Sequence, residues 1–190
     1  MLLKKIIKSQ LYILSGPSGV GKNAILRELL KVTPNLKKVI TYTTRKRRLK
    51  EKEGKDHYFI TVDDFKKKIK KGYFLEWAYV HRDYYGTPVK EIKENIKKKL
   101  IMEIDVQGAL QIKKKIPQAI LIFIKPDSLK NLLRRISRRG KMTSKDLEAR
   151  LKSYPQEMGL SRFYDYIIVN RENRLNETVA KIRKIIERDS

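Results

Sequence analysis

Apolar and polar positions along the 190-residue chain follow two alternating patterns. Short apolar runs at Leu11–Ser15, Leu100–Asp105, Ala119–Ile124 and Tyr166–Val169 read as strands, and their near-continuous hydrophobicity suits a sheet covered on both faces. Between them apolar residues recur at helical period. One helix is expected to open near Gly21 and bury Ile25, Leu26 and Leu29; others are expected over Gln107–Lys115, Asp127–Ser137 and Leu175–Glu187. Thr143-x-x-Asp146 resembles a capping box opening a further helix. This alternation predicts an α/β fold with a parallel sheet flanked by helices. The stretch Val39–Val80 departs from it, with strand-like pieces at Val39–Thr43, Tyr58–Thr61 and Leu75–Val80 and a helix starting near Asp63 or Asp64. Thr87-Pro88 then reads as an N-cap followed by proline at the first helical position, of a helix running to about Lys99. No internal repeat or low-complexity linker interrupts the chain, so a single domain is expected.

Composition narrows the chemistry. The absence of cysteine excludes disulfides, thiolate zinc sites and a cysteine nucleophile, and two histidines, His57 and His81, do not make a histidine-rich metal site. The first ten residues lack a secretory signal pattern, and Ala119–Ile124, the longest apolar run, is too short to cross a bilayer. A soluble, cytoplasmic protein is expected. The balance of 46 basic against 21 acidic residues, +25 in all, would attract polyanions. The lysines, however, fall in runs such as Lys66–Lys68, Lys97–Lys99 and Lys113–Lys115 among isoleucines at helical spacing, and these read as solvated helix faces. Nucleic-acid binding is the secondary reading, marked by salt-sensitive retention.

The sharpest motif is Gly16-Pro17-Ser18-Gly19-Val20-Gly21-Lys22, a G-x-x-x-x-G-K match between a predicted strand and a predicted helix. Glycines let such a loop wrap closely, so that backbone N–H groups converge on phosphate oxygens. The helix start adds its positive dipole end, and Lys22 reaches the terminal phosphates as a point charge. Nucleoside triphosphate binding follows. Serine or threonine usually comes next, to ligate Mg²⁺; here Asn23 stands there, and its amide oxygen is a competent ligand for a hard cation.

Beyond this loop, GPSGVGK (16–22), TYTTRKRR (41–48), EGKDHYF (53–59), GYFLEWA (72–78), YYGTP (84–88), IDVQGA (104–109), RRISRRG (134–140) and YDYIIVN (164–170) occur in one order. On these motifs the chain resembles the guanylate kinases over nearly its whole length. The resemblance implies phosphoryl transfer from MgATP to GMP, and to dGMP. It also implies a P-loop NTPase-type core over about 8–38, 88–126 and 159–190, a mostly β GMP-binding region over about 39–87 and a helical lid over about 127–158.

Carried onto this chain, the resemblance places Gly16 to Asn23 and Asn170 at ATP. The guanidinium forks of Arg45 and Arg48, with the Tyr85 hydroxyl, suit the acceptor phosphate. The family's second phosphate-binding tyrosine falls where this chain has His57, so either His57 donates or Tyr58 substitutes by a small shift. Glu76 matches the guanine-reading carboxylate, Thr41 and Thr87 match hydroxyls at the base, and Gly86 lies beside them. Phe74 and Trp77 are expected in the core. Asp105 is assigned to the metal or the GMP site, with Asn23 as its partner in holding Mg²⁺, partly through water, and Glu103 behind it. Lys22, Arg135, Arg139 and Arg150 would neutralise the transferring phosphoryl group, and Arg138 is an added surface charge. The substrates are thus ATP and GMP, the protein a monomer or homodimer, with no membrane partner. Two other readings stay open: a P-loop kinase for another small phosphorylated acceptor, and a catalytically weak interaction module of the same fold.

Overall fold

In a computed structural model, which describes residues 10–95, 97–137 and 144–188, the chain builds two sheets that share no strand. The first comprises β1 (Leu11–Ser15), β2 (Leu36–Lys38), β7 (Lys99–Glu103), β8 (Ile120–Pro126) and β9 (Tyr166–Asn170). Its order is β2-β7-β1-β8-β9, with every pairing parallel. Residues of β1 point alternately to two core layers, as the two-residue strand period demands. Leu11 and Ile13 join Met102, Ile112 and Phe123 on one face, against α4 (Val106–Lys115). Tyr12 and Leu14 join Ile25, Leu29, Ile182 and Ile186 on the other, against α1 (Lys22–Val32) and α7 (Leu175–Arg188). Each large apolar side chain so buried stabilises the fold by roughly 1.5–3 kcal/mol.

The second sheet is assembled from β3 (Thr41–Thr43), β4 (His57–Phe59), β5 (Phe74–Val80) and β6 (Asp83–Pro88), in the order β4-β3-β6-β5. Helix α2 (Val62–Lys70) packs Phe65 against Phe74 and Tyr84 of this sheet. Its start is fixed locally: Thr61 accepts from the Asp64 amide at 3.1 Å and donates to the Asp64 carboxylate at 2.8 Å. Helices α5 (Leu129–Ser137) and α6 (Ser144–Gly159), followed by a 3₁₀ turn at Leu160–Phe163, lie between β8 and β9 along the chain.

Several expectations are corrected here. The expected strand Val39–Thr43 is shortened to Thr41–Thr43, because Val39 leaves the first sheet just after β2 with its N–H still bonded to the Ile101 carbonyl (2.9 Å) and the chain crosses to the second. Thr87 and Pro88 end β6 instead of opening a helix; Pro88 itself occupies the N-cap of α3 (Val89–Glu94). That helix stops well before Lys99, since Asn95 turns back to donate to the Glu91 carbonyl at 2.8 Å and accepts Lys37 at 2.8 Å. Lys97 and Lys98 therefore form a turn and Lys99 opens β7, so the run is not a helix face. Trp77 is 40 % exposed: the register shift between Phe74 and Glu76 turns Glu76 inward and Trp77 out. The proposed cap at Thr143 lies outside the described residues.

Candidate active site

Ligand sites in open parallel sheets form beyond the carboxyl ends of the strands, and here that edge is furnished by β1 and β7. The loop Gly16–Gly21 leaves β1 with Gly16 at φ 137° and Gly21 at φ 106°. A side chain at Gly16 would meet the Ile124 carbonyl at 2.3 Å, and one at Gly21 would meet the Asn170 amide nitrogen at 2.7 Å, so both positions require glycine on two counts. Helix α1 starts without a side-chain cap, which leaves its first N–H groups directed at the loop's concavity. Lys22 lies over the same concavity and donates to the carbonyls of Gly16 (2.6 Å) and Pro17 (3.1 Å).

The loop is braced from behind. Val20 is fully buried, and its carbonyl accepts from Asn170 Nδ2 at 2.8 Å and from Arg135 at 3.2 Å. Asn170 Oδ1 accepts from Thr178 at 3.0 Å, while Arg135 also donates to the Asn170 carbonyl at 3.2 Å. Asn170 and Arg135 thus tie the loop to β9 and α7. Arg150, from α6, donates to the Ser18 hydroxyl. Arg138 and Arg139 lie outside the described residues.

A cleft of about 320 Å³ runs from this loop to the second sheet. Gly16, Ser18, Gly19, Gly21, Lys22 and Asn23 line one end; Thr41, Arg45, Arg48, His57 and Tyr85 line the other; Glu103 and Asp105 lie between. Parallel pairing of β3 with β4 sets Thr41 opposite His57 and Tyr42 opposite Tyr58. His57 faces the cleft with Nδ1 2.8 Å from the Thr41 hydroxyl, whereas Tyr58 stacks on Tyr42, ring centroids 4.7 Å apart, outside the cleft lining. Burial, followed by the nearby charges of Lys38 and Arg45, pushes His57 down to about 4, so its ring is neutral near pH 7. Gly86 also lies away from the cleft, against the rings of Phe65 and Phe74.

Glu51 is a site residue that the sequence alone did not single out. Its carboxylate accepts two hydrogen bonds from Arg45 (2.8 and 3.0 Å) and one from the Arg48 amide (2.9 Å). Burial opposes both charges, but their mutual hydrogen bonds prevail, raising Arg45 and lowering Glu51. Its place as the first acid after the basic run Arg45–Lys50 was the available signal. His81 lines the cleft from the β5–β6 hairpin, where it and Arg82 adopt φ 50° and 71°.

Behind the cleft, Glu76 is 2 % exposed and accepts the Thr87 hydroxyl at 2.5 Å. Burial, only partly countered by that hydrogen bond, raises it to about 7. Asp105, two residues past β7, caps α4, one oxygen accepting from the amides of Gln107 (2.7 Å) and Gly108 (3.2 Å). Its other oxygen, Oδ2, is buried without a hydrogen-bond partner. Burial raises Asp105 as well. On the first turn of α1, the Asn23 side-chain amide lies against the Glu103 carboxylate, and its nitrogen, when turned to donate, is 2.9 Å from one oxygen.

A glycine loop between a parallel strand and a helix, facing an arginine-lined acceptor end in the same cleft, defines a P-loop phosphotransferase. The guanylate kinase family profile matches residues 8–189. The guanylate kinase of Clostridium acetobutylicum is 44% identical over 181 residues, covering 94% of this chain and 85% of that one. That of Thermotoga maritima is 40% identical over 182 residues, covering 95% and 87%. The crystal structure of guanylate kinase from Anaplasma phagocytophilum superposes with a TM-score of 0.79 at 32% identity, covering 95% of this chain and 86% of that one. The chain belongs to the guanylate kinase family, and ATP-dependent phosphorylation of GMP is the activity this membership assigns to it. Among the described residues no helix is long and apolar enough to cross a membrane.

Proposed function

We propose that the cleft holds ATP and GMP end to end, the donor on the glycine loop and the acceptor on the second sheet. The observation that supports this most is the single cleft lined by both the loop and the arginine pair. An oxygen of the GMP phosphate attacks the γ-phosphorus, and the bond to the bridging oxygen of the departing ADP breaks. Positioning and charge neutralisation accomplish this without a protein nucleophile. Loop amides and Lys22 hold the donor phosphates; Arg45, Arg48, Tyr85 and His57 hold the acceptor phosphate, and Tyr58 buttresses β3 from the far face. With the Thr41 hydroxyl donating to Nδ1, the neutral His57 ring carries its proton on Nε2 as a donor. Arg150 and Arg139 neutralise charge on the transferring group, while Arg135 and Asn170 keep the loop in shape.

The residues present fit Mg²⁺. Among the described residues no group of three or more acidic or histidine side chains converges on one point, and Mg²⁺ needs none, because it is typically held by one or two carboxylates, waters and substrate phosphates. The unpartnered Asp105 Oδ2 supplies such a carboxylate, and Asn23 and Glu103 stand beside it. When bound, the ion neutralises charge developing between the phosphates.

Glu76, with Thr87 and Thr41, reads the guanine edge: a carboxylate accepts from N1–H and the 2-amino group, which adenine does not present in that arrangement. A coupled ADP-release assay offering GMP, dGMP, AMP, UMP and CMP, with and without Mg²⁺, tests the reading. Magnesium-dependent turnover of GMP and dGMP is expected. Glu76→Gln should raise the GMP KM by roughly 10- to 100-fold, the worth of a hydrogen bond to a charged group, and narrow the margin over AMP. An unchanged preference in that variant removes the assignment.

A further inference from the structure

Gly108 occupies the first turn of α4, a place where its backbone needs no glycine: its φ is not in the left-handed region, and a helix interior ordinarily favours alanine over glycine. The reason for glycine lies across the interface. A Cβ built there would stand 2.6 Å from Glu76 Oε2, 3.2 Å from Glu76 Cδ and 3.3 Å from Asp105 Oδ2. The Glu76 carboxylate thus lies flat against the bare backbone of α4, while Thr87 grips its other oxygen from β6. Helix α4 has little freedom to retreat, because Asp105 caps it and Ala109 and Ile112 are sealed in the core beneath.

We propose that Gly108 is a specificity-determining positioning residue: the missing side chain sets the depth and direction of the Glu76 carboxylate, and through it the preference for a purine bearing a 2-amino group. This rests on the reading of Glu76 as the base-recognising group. A methyl group at 108 leaves the fold intact and pushes the far end of Glu76 toward the space the guanine edge would occupy. Stability and base choice therefore part company at this residue, which a merely structural glycine would not show.

The test compares Gly108→Ala with wild type on GMP and on inosine monophosphate, which lacks the 2-amino group, alongside thermal unfolding. The melting temperature should hold or rise. The GMP KM should rise about tenfold with kcat nearly kept, and the ratio of kcat/KM for GMP over inosine monophosphate should fall several-fold, as expected when one charge-assisted hydrogen bond is misplaced. The double variant Gly108→Ala with Glu76→Asp retracts the carboxylate by one methylene and should recover part of that ratio relative to Gly108→Ala. Should the single variant unfold, the same double variant should recover its melting temperature, since it relieves the same contact. An unchanged ratio in Gly108→Ala, while Glu76→Gln loses it, overturns the proposal and leaves the Glu76 reading standing. A ratio indifferent to Glu76→Gln overturns both, and failure of the double variant to recover either quantity overturns the proposal.

Discussion

On the proposed arrangement, the two ends of the cleft hold phosphate by different means. At the donor end recognition is made of backbone: glycines at positive φ, uncapped amides at the start of α1 and a single lysine. At the acceptor end it is made of side chains delivered by separate strands and loops, Arg45, Arg48, His57, Tyr85 and, behind them, Glu76. A backbone cradle is indifferent to what carries the phosphates, whereas a side-chain pocket distinguishes one base from another. The donor end therefore supplies catalytic power and the acceptor end supplies selection.

Three measurements would break or sharpen this division. Lys22→Ala should reduce kcat by roughly 10²- to 10³-fold, the usual loss when a preorganised charge is removed from a transferring group, while the GMP KM stays near its wild-type value. A comparable change in GMP KM would merge the two ends.

The second measurement is the pH profile. Burial raises Glu76 to about 7, and a protonated carboxyl, with one oxygen turned into an O–H donor, cannot accept from N1–H and the 2-amino group together. In the free enzyme kcat/KM for GMP should therefore climb about tenfold per pH unit below that value and level off above it; Glu76→Gln should flatten the difference from wild type, leaving only the substrate's own titration. The linked effect on folding has the opposite sense. Because the folded pKa lies above the unfolded one, the contribution of Glu76 to stability is fully present below about 4.5 and is lost as pH rises toward about 7. Wild type should therefore lose melting temperature relative to Glu76→Gln as pH rises across that window, and a wild-type advantage that grew with pH would contradict the burial argument.

The smallest effect belongs to Glu51→Gln. Removing the acid that aligns Arg45 should raise the GMP KM about three- to tenfold at constant kcat and leave ATP binding untouched, consistent with a partly buried ion pair that orients more than it attracts. Steady-state kinetics with each substrate varied in turn would separate these outcomes.

What the sequence revealed follows the same line. The glycine loop was legible because its geometry forces residue type at fixed spacing, and the buried strands were legible because Leu11–Ser15 and Ala119–Ile124 are too apolar to lie at a surface. The second sheet was harder. Whether His57 or Tyr58 faces the cleft depends on parallel pairing with β3, and a one-residue change of register would exchange them. The same holds for Trp77, turned outward by the irregularity beside Glu76, and for Gly86, which lies against the rings of Phe65 and Phe74. Glu51 escaped notice because it acts only after the basic loop has folded back on itself. The assignments at Glu76 and Thr87 came from family likeness, and the 2.5 Å contact between the two explains physically why they occur together.

Because the two sheets have no strand in common, the chain passes between them at only a pair of crossings, Val39–Ile40 outward and Pro88–Val89 on return. Rotation about that pair would carry the entire acceptor end as one body, with every ladder hydrogen bond preserved. The enzyme's gap between donor and acceptor is thus adjustable at the expense of side-chain packing and of a few side-chain hydrogen bonds, such as those from Gln111 to the Trp77 carbonyl (2.9 Å) and from Lys115 to the Leu75 carbonyl, a far cheaper coordinate than any that required a strand to be unzipped.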